Sequence, residues 1–162
     1  MNNFDTLKFD ELKDRTETFF KEIGEVFCPY FQDKVTFNAK GLEHLKFKTK
    51  HHARPQADQY VRFKILHLAP EVLKLSRTIQ GISHTKTFEY IRSNARTEYI
   101  LKDVSYYEFI AILDDKQEKK RVRVVVKQIE QGPKYFWSVI PFWKMDKETR
   151  KRKMNSAHLE VD

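Results

Sequence analysis

The sequence predicts an α+β domain, with N-terminal helices packed on a twisted four- to five-stranded antiparallel sheet. Two observations carry this. The apolar period is near 3.6 in the first half of the chain and switches to two near Gly81. After that switch, three consecutive strand patterns, YYEFIAILDD, KKRVRVVVKQIE and PKYFWSVIPFW, are separated by the turn-forming DDKQ and QGP.

In chain order, residues 5 to 28 read as one amphipathic helix. Phe9, Leu12, Phe19, Phe20, Ile23, Val26 and Phe27 recur at three and four positions, and Pro29 ends the run. Residues 35 to 38, VTFN, suit a short strand, with Asn38 capping a helix over residues 39 to 52. On that helix His44, Lys48, His51 and His52 share a face, which brings three imidazoles near one another. Past Pro55, DQYVRFKILHL predicts a second helix, and PEVLKLSRTIQ, with proline in its first turn, a third that Gly81 stops. Strands are expected near 86–92, 97–102, 106–113, 120–130 and 134–140, all paired antiparallel. In the 120–130 strand Val122, Val124 and Val126 take one face. Arg121, Arg123 and Lys127 share the other with Val125 and Ile129.

A length of 162 residues suits one domain, here residues 1–143, with 1–32 as an N-terminal helical extension. Residues 144–162 read as a charged, flexible tail. The 31 Lys and Arg against 23 Asp and Glu give a formal charge of +8, which favours a polyanionic partner. The lone Cys28 rules out an intramolecular disulfide framework and a cysteine zinc site, and suits a buried small side chain. With no apolar leader and no run near the roughly 20 residues of a membrane span, a soluble cytoplasmic protein is expected.

Most enzyme classes lack their machinery here. The four glycines are too scattered for a phosphate loop or a dinucleotide fingerprint, and no Gly-x-Ser-x-Gly elbow is present. No HExxH or CxxC spacing supports a metal centre, so neither metal nor cofactor is assigned. Metal-independent RNA cleavage asks for less, because the ribose 2′-hydroxyl is itself the nucleophile. The protein need supply a proton-transfer group, cationic donors to phosphate and a stacking surface. His44 suits the first role, Arg54 and Arg62 the second, and Phe136 or Trp137 the third. Ser138, a polar residue in an apolar strand, is either a satisfied core hydroxyl or a phosphate ligand. Lys48, His51, His52, Arg121, Arg123 and Lys127 complete the candidate nucleic-acid contacts. Each residue also has an ordinary reading, His44 as a histidine of an amphipathic helix and the arginines as salt-bridged helix residues.

The segments FNAKGLEHLKFK, HARPQADQYVRFKILHLAPEVL, YYEFIAIL, KRVRVVVKQI and KYFWSVIPFW together resemble the phage-associated branch of the BECR nucleases, the Barnase, EndoU, colicin and RelE-like group. The resemblance covers roughly residues 33 to 143. It rests on element order and residue type: a helix histidine, an arginine-bearing helix before a proline-started one, and a serine on the last strand. It implies a toxin-like or mobile-element endoribonuclease using His44, Arg54 or Arg62, and Ser138. Arg121 or Arg123 would be auxiliary phosphate contacts. The implied partners are RNA, tRNA or mRNA among them, and an acidic inhibitor protein. The alternative is a non-catalytic nucleic-acid-binding or protein-interaction module on the same fold. A nuclease should gather His44, an arginine and Ser138 in one cleft, whereas a binding module should scatter them and keep a continuous positive sheet.

Overall fold

The computed structural model describes residues 6–49 and 51–141, so the predicted tail lies outside the described residues. The first half comprises α1 (Thr6–Ile23), β1 (Glu25–Cys28), β2 (Asp33–Thr36), α2 (Ala39–Lys46), β3 (Phe47–Thr49), β4 (His52–Ala53) and α3 (Gln56–Ile65). A 3-10 turn (Leu66–Leu68) then leads into α4 (Ala69–Leu75). The second half is all strand: β5 (Gly81–Ser93), β6 (Arg96–Asp115), β7 (Glu118–Ile129) and β8 (Lys134–Pro141). The fold is α+β, and its main sheet has six strands in the order β1-β2-β8-β7-β6-β5.

The differences from the sequence reading have local causes. Gly24, at φ 64°, ends α1, and residues 25 to 28 form β1 instead of a last helical turn. Val26 and Cys28 are buried while Phe27 is exposed, an alternation that short apolar runs do not distinguish from helix. The predicted strands at 97–102 and 106–113 are one strand, β6. Its ladder to β5 runs unbroken from Gly81↔Glu108 to Ser93↔Arg96, so the polar Lys102–Asp103 step does not turn the chain. Pairing is antiparallel except between β2 and β8, which run parallel through Val35↔Lys134 and Thr36↔Tyr135.

The helices cover one face of the sheet. Val122, Val124, Val126, Phe109 and Phe136 meet Phe9, Phe20, Leu45, Phe63, Leu66, Val72 and Leu73 in the main core. Cys28 belongs to this core with no exposed surface. On the opposite face Val104, Tyr106 and Val125 form a smaller cluster with Ile129 and Trp137. The period-two assignment of β7 therefore holds for its valines. Beyond Val104↔Ile129 the sheet loses β7, and residues 87–93 and 96–102 continue as a two-stranded ribbon.

A histidine cleft at the edge of the last strand

β2 covers β8 only at Lys134 and Tyr135, and from Phe136 onward α2 and α3 pack against β8 instead. The register of β7 against β8 slips between Val125↔Ser138 and Val126↔Phe136, which leaves Trp137 as a bulge. Such an extra residue bends a strand and re-aims its side chains. Phe136 turns into the core, where it stacks on Phe37 at 4.8 Å, and Trp137 turns outward to stack on His44 at 4.0 Å and 17°. α2 approaches this kink closely: any side chain at Gly41 would collide with the Phe136 carbonyl oxygen. Asn38 caps α2 by accepting from the Gly41 amide at 3.2 Å, and so sets the helix start that places His44 over Trp137.

His44, Arg54, Arg62 and Ser138 converge through hydrogen bonds. The Arg54 backbone amide donates to the Lys46 carbonyl at 2.7 Å, and its Nε donates to the His44 carbonyl at 2.9 Å. A second guanidinium nitrogen, Nη2, lies 3.0 Å from His44 Nε2. Arginine only donates, so Nε2 is the acceptor and the neutral imidazole carries its proton on Nδ1. Arg62 Nε donates to Asp58 at 2.9 Å and Nη1 to Ser138 Oγ at 2.6 Å, while Arg54 shares the same carboxylate at 3.5 Å. Burial holds the His44 pKa well below its usual 6.5, with the charges of Arg54, Arg62 and Lys127 adding to the effect.

The arginines do not stand in solvent as phosphate donors. Both are buried, as is Ser138, and they hold His44 from behind. The cleft in front has a volume of about 200 Å³, lined by His44, Trp137, Tyr135, Lys127, Lys40, Lys48, Thr49, Phe47, Glu43 and Glu89. A larger groove, about 480 Å³, runs between α1 and α3 and contains none of the predicted site residues.

Other expectations are corrected. α2 stops at Lys46, and the chain turns into the β3–β4 hairpin, so His51 and His52 leave the helix that carries His44. His52 Nδ1 contacts Thr49 at 3.0 Å, and Lys48 is exposed on the rim of the cleft. Arg123 and Lys127 do share a face, but they are buried in ion pairs with Glu108 and Glu89, each at 2.7 Å, and do not form a continuous cationic surface. Arg121 is exposed. Phe136 has no exposed surface and cannot stack a nucleobase, and one face of Trp137 is occupied by His44.

Sequence reasoning did not single out Asp58, Tyr135 or Glu89. Asp58 carried a signal, because it lies four residues from both Arg54 and Arg62. The Tyr135 hydroxyl is buried and has no hydrogen-bond partner among the described residues, an arrangement that costs about 1–3 kcal/mol. Burial and the nearby Glu89 charge raise its pKa. Among the described residues no three His, Cys, Asp or Glu side chains converge as a metal-binding group, and no helix is long and apolar enough to cross a membrane. No protein-family model, curated protein or solved structure matches the chain.

Proposed function

We propose that the cleft binds RNA and cleaves it without a metal ion, with His44 as the proton-transfer group. The observation that carries this reading is the convergence of a neutral, oriented histidine with two arginines and a serine behind a lysine-rimmed opening. In this mechanism Nε2 is freed when a nucleotide binds, as Arg54 keeps its bonds to the His44 carbonyl and Asp58. The freed lone pair accepts the 2′-hydroxyl proton while Lys127, on the wall of the cleft, faces the charge that develops on the phosphorus oxygens. The 2′-oxygen forms its bond to phosphorus, the bond to the 5′-oxygen breaks, and the leaving oxygen takes a proton from water. Arg62, bonded to Ser138 and Asp58, keeps the His44 support in place.

The test is incubation of the purified chain with total RNA in excess chelator. The expected result is cleavage leaving 2′,3′-cyclic phosphate ends. His44→Ala should lower the rate by about 10² to 10⁴, with RNA affinity nearly unchanged. Ser138→Ala should lower it less, because the Ser138 hydroxyl bonds Arg62, which shares Asp58 with Arg54, and so acts on His44 at a remove. Absence of cleavage by the wild-type chain sinks the catalytic reading.

A specific observation favours a second reading, a nucleic-acid-binding module without catalysis: His44 Nε2 is already occupied by a buried arginine. On that reading RNA binds with the same cation dependence, and His44→Ala changes stability alone.

A further inference from the structure

Lys127 stands opposite Tyr106 on β6, and Tyr106 stands opposite Ser83 on β5. On a flat sheet Glu89 would lie about 20 Å further along β5 than Ser83. Yet its carboxylate is 2.7 Å from Lys127 Nζ, so the β5–β6 ribbon bends back across the sheet and delivers Glu89 into the cleft. Thr87, two residues earlier on the ribbon, donates to the same carboxylate at 2.7 Å. Lys127 Nζ lies 4.2 Å from the centre of the Trp137 ring, which also stacks on His44. Beside it, the Tyr135 hydroxyl is a buried donor with no partner among the described residues, and Lys40 Nζ lies 5.8 Å from the Tyr135 ring.

An ammonium and a buried hydroxyl donor make an anion site, and its present anion belongs to the two-stranded ribbon. We infer that Lys127 and Tyr135 form a phosphate subsite that the Glu89 carboxylate fills in the absence of ligand. The phosphodiester of an RNA strand takes that place and releases the ribbon. The inference rests on the RNA reading for its ligand, and on the geometry alone for its anion chemistry. A phosphodiester satisfies what Glu89 leaves unmet: one oxygen replaces the carboxylate on Lys127, and a second accepts from Tyr135. With Glu89 still in place, the two anions would repel at close range, so binding and release of the ribbon are coupled.

The experiment is calorimetric titration of the full chain and its Glu89→Gln variant with inorganic phosphate, adenosine 3′-monophosphate and adenosine. The substitution keeps the shape and removes the charge. Glu89→Gln should bind both phosphate ligands about tenfold more tightly, leave adenosine unchanged, and lose part of the gain when combined with Tyr135→Phe. Equal or weaker phosphate binding by Glu89→Gln overturns the inference. Hydrogen exchange on the wild-type chain gives a second measure that needs no variant. Saturating phosphate should speed exchange of the amides at 87–93 and 96–102, and unchanged exchange at those amides overturns the release of the ribbon. Tighter phosphate binding without RNA cleavage keeps the subsite and sinks the nuclease, whereas cleavage without the gain does the reverse.

Discussion

Burial, and after it the Arg54 guanidinium bonded to Nε2, determines how His44 responds to acid. An imidazole that accepts from a guanidinium and sits beneath two further cations resists protonation in the folded chain. The unfolded chain protonates it normally, near pH 6.5. Above that value both states are neutral, so this contribution to stability is fully present. As pH falls below it, the unfolded state takes up a proton that the folded state refuses, and stability drops by up to about 1.4 kcal/mol per pH unit. Chemical denaturation between pH 7 and pH 5 should show that slope in the wild-type chain and lose it in His44→Gln. Asp115, lowered to about 2 by Lys120 and His67, contributes in a separate window: its stabilisation is lost only as pH falls below about 4. At this scale the sequence made the residue types legible. His44, the arginines and the serine stood out because their chemistry is uncommon in apolar patterns. Their connection was not legible, since Arg62 and Ser138 lie 76 positions apart and no local spacing encodes the contact.

At the scale of elements, the strands after Gly81 were legible from period-two alternation, and their connections from turn residues. What escaped was conformation that sequence leaves degenerate. Gly24 marked the end of α1, but the apolar pattern continued past it. The Trp137 bulge, which separates Phe136 from the cleft, has no residue signature in KYFWSVI. The β6–β7 turn shows how local chemistry and tertiary demand diverge. Lys116 and Gln117 both adopt positive φ, 49° and 70°, the geometry of a tight hairpin turn that glycine and asparagine favour. A side chain with a Cβ is strained there, and the long β6–β7 ladder holds the turn in spite of it. Gln117→Gly should therefore stabilise the chain by about 1 kcal/mol in denaturant titrations, because relief of the left-handed strain exceeds the added entropy of the unfolded glycine. No gain, or a loss, would show that the turn contributes contacts outweighing its backbone strain.

Across the whole molecule, the charge of +8 divides into cations that face solvent and cations neutralised inside the fold, a distinction that alternation along a strand does not reveal. Arg123 and Lys127 occupy the outward positions that period two assigns them, and Glu108 from β6 and Glu89 from the ribbon bury them there. Lys48 stands exposed at the cleft mouth on a short hairpin. These placements separate two effects that a count of basic residues merges. Each exposed lysine that meets a phosphate releases about one counterion, so Lys48→Ala should reduce the slope of log affinity against log salt for a single-stranded RNA by about 0.7 to 1, with little change in stability. Arg123→Met should leave the slope unchanged. Its cost should appear in folding, about 3–5 kcal/mol, because Glu108 would be left as a buried carboxylate without its cation. Affinity measured over a salt series, beside denaturant unfolding of both variants, decides the matter. A slope that falls for Arg123→Met would mean that this arginine leaves Glu108 to meet RNA, as Lys127 leaves Glu89.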